Sequence, residues 1–292
     1  MGEIFVFCCE EGTTIEVMAG TSHEGEMPMP VVLSSVSKRW RRVAISTRDL
    51  WSSLHLDISE PFWRADLEKN EEEAERCFRI VEMYLRRARD APLSLCFTED
   101  ATSLRIDGAL DALCRVAHQW HTVTFETSES FLQHDALESI RGRLINLRDV
   151  SFSVPGKDEQ GMADFLDLCP ALRRLHHKVQ RTWPPVSRDP PQHALWKQLE
   201  TLSLSPDEPE MHLKMVRIAS WCTGLVHLHI KIAFNDDRLD LQGQVACVSN
   251  LQSLCLEVQG GLRDPVFTAF LPYITTPQLK SLGLRGDAEF FE

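Results

Sequence analysis

LETLSL (residues 199–204), LVHLHI (225–230), LQSLCL (251–256) and LKSLGL (279–284) share one pattern: an apolar residue, a second three places on, and a third two beyond that. The apolar/polar alternation that closes each copy is the period of a β-strand with one face buried. Fainter copies precede them at Trp120/Val123/Phe125, Leu147/Val150/Phe152 and Leu172/Leu175/His177. First positions at 120, 147, 172, 199, 225, 251 and 279 are separated by 27, 25, 27, 26, 26 and 28 residues. That regularity marks a repeat.

A period of about 20 to 29 residues with this strand signature is that of leucine-rich repeats, in which each copy adds one short strand and a helix or turn outside it. The connecting segments predict helices. Ile106, Leu110, Leu113 and Ala117 share a helical face within residues 105–119, as do Met211, Met215, Ile218 and Cys222 within 210–222, and Met162, Phe165 and Leu168 form a shorter stripe. One repeat cannot bury its own apolar face, so the copies are expected to stack as a solenoid with a parallel concave sheet and outer helices. The usual Asn after the strand is missing, with Asp207, Gln259 and Asp287 at three of those positions, and the proline-rich Trp183 to Pro191 is expected to bulge as a loop.

If the leucines face the core, the residues between them face out. His176, Lys178, His227, His229, Lys231, Glu257 and Arg285 are then the candidate target-binding residues, and Arg174 extends a locally basic stripe suited to an acidic or phosphorylated target.

The chain has 292 residues, 43% hydrophobic and 25% charged, a folded-protein composition with room for a large core. A formal net charge of −12 would repel a phosphate backbone, so no nucleic-acid partner is expected. No apolar run approaches the roughly 20 residues of a membrane span, and the run Ile4 to Cys9 is short for a signal-peptide core, so the expected location is cytoplasm or nucleus, with no membrane partner. Nine cysteines without a C-x-x-C pair argue for buried reduced thiols rather than disulfides or zinc.

Residues 30–45 put Leu33, Val36, Trp40 and Val43 on one face of an expected basic helix that Pro30 helps to start, with Lys38, Arg39, Arg41 and Arg42 beside it. The order of residues Val36, Ser37, Trp40, Arg41, Ala44, Leu50 and Trp51 resembles the second half of an F-box, with Ser37 standing for the usual cysteine. Glu3, Ile4 and Phe5 resemble the end of its first helix, and Tyr84-Leu85 with Pro92-Leu93-Ser94-Leu95 resembles a block of the large fungal F-box families. The resemblance implies binding to a Skp-type adaptor, with Ile4, Phe5, Pro30, Leu33, Val36 and Trp40 as contacts. The acidic stretch Asp66 to Glu75 leads into an expected helix with Cys77, Val81, Tyr84 and Ala88 on its packed side, and Glu75/Arg79 and Glu82/Arg86 as i,i+4 pairs on a solvated face.

None of the local catalytic, nucleotide-binding or metal motifs occurs, and His118/His121, His176/His177 and His227/His229 are the nearest approach to ligand pairs. No catalytic residue, cofactor or metal is expected. The organisation expected is an F-box-like helical segment at 1–50, a linking strand/helix region with the first irregular repeats at 51–119, and a leucine-rich-repeat solenoid at 120–292. The function expected is recruitment of a protein target, not yet identified, to a Skp/cullin/F-box ubiquitin ligase. The alternative is a non-enzymatic protein-binding scaffold with a degenerate F-box.

Overall fold

The computed structural model describes residues 14–15, 28–57, 67–99, 106–153, 165–166, 168–179, 195–206, 212–233, 246–259 and 274–286. The expected contacts Ile4 and Phe5, Met162, Met211 and the loop from Trp183 to Pro191 lie outside these residues. The chain divides into two compact units, Met1–Leu147 and Arg148–Glu292. Both are α/β, with parallel strands joined by crossover segments.

In the first unit β1 (Thr14–Ile15), β2 (Ser53–Asp57), β3 (Leu93–Thr98) and β4 (Trp120–Glu126) pair in sequence order, all parallel. Helices α1 (Met29–Val36) and α2 (Lys38–Ser46) precede β2, and α3 (Leu67–Ala88) and α4 (Asp107–Arg115) form the two crossovers. The inward residues Leu54, Leu56, Leu95, Phe97, Val123 and Phe125 are all buried. Phe97 stacks on Phe125 at 5.4 Å and 11°, and Phe131 closes against both. Two tryptophans hold strands to the elements before them by the same device: the indole N–H of Trp51 donates to the carbonyl of Ala44 at 2.8 Å, and that of Trp120 to Leu113 at 3.1 Å, each seven residues back.

Helix α3 buries Cys77, Val81, Tyr84 and Ala88, as its periodicity predicts. Tyr84 meets Trp51 edge-on at 5.0 Å, and the Arg87 guanidinium lies 4.1 Å from the Trp51 ring centre. The helix stops at Arg89, whose φ of 57° is left-handed and whose N–H donates to Leu85 at 3.0 Å. Of the two expected i,i+4 pairs, Arg79 reaches Glu75 at 3.7 Å, whereas Glu82 faces Arg115 of α4 at 3.9 Å.

The single helix expected over 30–45 is two. Ser37 is extended (φ −158°, ψ 165°), and its hydroxyl accepts the N–H of Trp40 at 3.2 Å, so it ends α1 and caps α2. Arg41 Nε then donates to the Ser34 carbonyl at 2.9 Å, tying the helices together.

The second unit contains β5 (Asp149–Phe152), β6 (Arg174–Val179), β7 (Thr201–Pro206), β8 (His227–Ala233), β10 (Ser253–Gln259) and β12 (Ser281–Gly286), paired parallel in that order. The short strands β9 (Ala246–Cys247) and β11 (Ile274–Thr275) pair separately. Register follows the repeat: Leu202, Leu228, Leu254 and Leu282 are successive partners, and so are Leu204, Ile230, Leu256 and Leu284. All are buried on β7, β8 and β10, but Leu282 is 46% exposed because β12 ends the sheet order among the described residues. Phe165 is buried as its stripe predicts, while Leu168 is 56% exposed and Leu166 takes the buried place.

A backbone device fixes this register. The carbonyls of Arg148, Arg173, Glu200, Val226 and Gln252 each accept two successive N–H groups from the start of the next strand, at 2.8 to 3.0 Å. Side-chain amides reinforce the turns: Gln198 donates to the Cys169 carbonyl at 2.8 Å and Asn250 to Thr223 at 2.7 Å, as Asn146 does to His118 in the first unit. Each of these amides immediately precedes a first-position leucine. Gly224 holds the same place in its repeat, where a Cβ would stand 2.8 Å from the Lys197 carbonyl oxygen, so the close approach of that turn excludes any side chain.

Leu228→Ala is expected to cost about 2 to 5 kcal/mol, the range for emptying a buried leucine site. Leu282→Ala, half exposed on the end strand, should cost about 1 kcal/mol or less. Urea denaturation of the two variants checks the contrast, which equal losses would contradict.

Candidate functional site

The outward positions of the second unit form three cross-strand rows. Arg174, Thr201, His227, Ser253 and Ser281 make the first, and His176, Ser203, His229, Cys255 and Gly283 the second. In the third, Lys178 pairs with Ser205, and Lys231, Glu257 and Arg285 are partners; Ser205 and Lys231 each follow the registered pair Leu204 and Ile230. All seven expected target-binding residues thus share one strand face, and none is buried.

The charges on this face are coupled. Glu257 receives Lys231 Nζ at 2.9 Å on one oxygen, and His229 Nε2 lies 3.4 Å from the other, an ion-pair distance rather than a short hydrogen bond. The lysine and the histidine hold its carboxyl below the usual carboxylate range. On β5, Asp149 receives Arg174 Nε at 2.8 Å and stands 3.7 Å from His176 Nε2. Asp149 was not among the sequence candidates, although its place before Val150 in the repeat matches that of Arg174 before Leu175. The stripe is therefore not a run of bare cations. Among the described residues of these strands Arg174, Lys178, Lys231 and Arg285 outnumber Asp149 and Glu257, on a chain that is acidic as a whole.

Ser203 Oγ lies 3.1 Å from His229 Nδ1, so a hydroxyl, an imidazole and the Glu257 carboxylate stand in line across β7, β8 and β10. The order is that of a nucleophilic relay, but a relay also needs donors for a developing oxyanion. The backbone around Ser203 and His229 is committed to the parallel ladder. Among the described residues, the Ser203 hydroxyl and the Glu257 carboxylate hold the His229 imidazole from both ring nitrogens.

His177, the third position of its repeat, points the other way and is buried between its register partners Phe152 and Leu204. Burial pushes its imidazole down to about 3 despite a hydrogen bond to the Phe152 backbone. The pair His176/His177 is thus split between opposite faces. Among the described residues no group of three or more His, Cys, Asp or Glu side chains could hold a metal. Burial pushes the Cys114 thiol up to about 12 and raises those of Cys96 and Cys222 as well, which disfavours their reactive thiolates.

The N-terminal candidates separate in the same way. Pro30 and Leu33 are buried, Trp40 is half-buried, and Val36 is 57% exposed. Leu33 and Val36 are i,i+3 neighbours on α1, yet the first is buried and the second, at the helix end, is exposed. Met29, 42% exposed, the half-buried Val32 and Val36 line the outer side of α1 at helical spacing. The exposed Lys38, Arg39, Arg41 and Arg42 follow on α2. Sequence spacing misses Met29 and Val32 because it runs the stripe through Ser37 as one helix.

Compared with known proteins, the sequence matches no family model and has no significant match to a curated protein. Among the described residues no helix is long and apolar enough to cross a membrane.

Folding His177 in its neutral form ties stability to pH. The unfolded imidazole takes a proton below about 6.5 and the folded one only near 3, so the stabilisation is complete above 6.5 and is lost as pH falls toward 3. The loss approaches about 1.4 kcal/mol per pH unit within that window. His177→Leu should flatten the acid limb of the stability curve measured by denaturant titration between pH 7 and about 4, and an unchanged limb would refute the assignment.

Proposed function

We propose that this chain is a non-enzymatic substrate-recruiting adaptor of a Skp/cullin/F-box ubiquitin ligase, acting in the cytoplasm or nucleus. On this reading its N-terminal helices are F-box-like and bind a Skp-type adaptor. Its parallel strands belong to a leucine-rich-repeat solenoid whose outward strand residues engage a protein target. The observation that carries the reading is the outer side of α1: Met29, Val32 and Val36 present apolar surface within the F-box-like residues, and the cations of α2 follow directly. A solvent-facing apolar stripe on a short helix beside basic residues suits a small acidic partner with an apolar groove.

The contact set is revised accordingly. Pro30 and Leu33 are buried, while Met29 and Val32 join the expected contact Val36 at the adaptor surface, with Trp40 at its margin. That revision also gives weight to a second reading, a protein-binding scaffold with a degenerate F-box, because two residues of the family pattern are spent on the core.

Each apolar side chain buried at such a contact contributes on the order of 1.5 to 3 kcal/mol. Met29→Asp with Val36→Asp should therefore weaken capture of a purified Skp-type adaptor at least about tenfold while leaving the thermal unfolding midpoint nearly unchanged. Leu33→Asp should instead unfold the N-terminal helices. A wild-type chain that is folded and binds no Skp-type adaptor in the same assay would favour the scaffold.

A further inference from the structure

Of the three rows on the second unit's strand face, one carries its fixed cations at a regular interval. Along Lys178, Ser205, Lys231, Glu257 and Arg285, the cations occupy β6, β8 and β12, every second strand of the order β6-β7-β8-β10-β12. Adjacent strands lie about 4.8 Å apart, so the cations recur about every 9.6 Å. Serine fills one interval and Glu257 the other. The neighbouring row has no fixed charge and offers Ser203, Cys255 and Gly283, small residues that leave room above the sheet.

An extended polyproline-II segment has three residues per turn and rises about 3.1 Å per residue, so every third side chain points the same way about 9.3 Å from the last. Acidic residues spaced three apart on such a segment would meet Lys178, Lys231 and Arg285 in turn. An acid placed between them would come against Glu257. This carboxylate is held ionised by Lys231 and His229, so it remains a fixed negative charge within the row.

We propose that this row recognises an extended peptide segment of the target with Asp or Glu at every third position, and that Glu257 rejects segments in which acidic residues are contiguous. The repulsive element supplies selectivity that the cations alone would not, since cations attract any acidic chain. The inference rests on the reading of this strand face as the target surface.

Fluorescence anisotropy of the full chain with three labelled synthetic peptides tests it. One carries Glu at every third position among Ser and Pro, the second has the same composition with its glutamates contiguous, and the third has Lys in place of Glu. At low ionic strength the spaced peptide should bind about fivefold tighter than the contiguous one, and the lysine peptide should not bind. Lys178→Ser with Arg285→Ser should erase the preference, and Glu257→Gln should narrow it by strengthening the contiguous peptide. Both changes are on exposed or half-exposed strand positions. Equal affinity of the wild type for the two acidic peptides, lost in Lys231→Glu, would overturn the spacing rule and keep the face as the binding surface. No binding of either acidic peptide would overturn the spacing rule and the surface together.

Discussion

Among the described residues, every step along the second unit's order β5-β6-β7-β8-β10-β12 passes through one backbone carbonyl that accepts two N–H groups from the segment that follows. Arg148, Arg173, Glu200, Val226 and Gln252 supply these carbonyls, and each stands just before the first residue of its own strand. Two bonds to one oxygen fix both the position and the direction of the next strand's entry. A strand that slipped by one residue would turn its leucines outward and its polar residues inward. The doubled acceptor therefore protects the buried leucine rows. Amides at Gln198 and Asn250, and the bare backbone of Gly224, allow successive turns to approach closely enough for this to repeat.

Register has an electrostatic consequence as well. Parallel strands in step place Glu257 beside Lys231 and Arg285, and Asp149 beside Arg174. Residues separated by more than twenty positions thus meet as if they were neighbours. On a chain of formal charge −12 the described strand residues of the second unit carry more cations than carboxylates, in a patterned way, with the carboxylates set among the cations. Such a surface discriminates by spacing, whereas a uniform basic patch would attract any acidic chain.

The leucine rows were legible because two periods, two residues within a strand and about 26 between strands, coincide on the same residues. Leu202, Leu228 and Leu254 needed nothing more. His177 fitted the period while breaking the chemistry, and only its burial shows that the position is a core one occupied by a neutral imidazole. The turn amides were illegible because they precede the motif, where a search for an Asn after the strand does not look, and because alanine and glycine take their place in alternate repeats at Ala171 and Gly224. Ser37 illustrates a different limit: Val36 through Trp40 satisfies helical spacing on paper, but a serine hydroxyl offered to the Trp40 N–H is worth more as a cap than as an interior residue. Ion pairs across strands were hidden for a simpler reason, since spacing assigns a face but not which charges on it touch.

Strand register carries the leucine rows and the charge pattern alike, and paired cysteine substitutions read it directly. Thr201 and His227 are partners on β7 and β8, and both face outward; Thr201 and His229 face the same way but are offset by two residues. Disulfides form when Cα atoms are within about 4.4 to 6.8 Å, a condition that adjacent partners meet and offset ones do not. Thr201→Cys with His227→Cys should oxidise readily to a disulfide identified by peptide mass mapping, and Thr201→Cys with His229→Cys should not. Equal yields, or preference for the offset pair, would contradict the register on which the leucine rows, the charge pattern and the proposed target surface all depend.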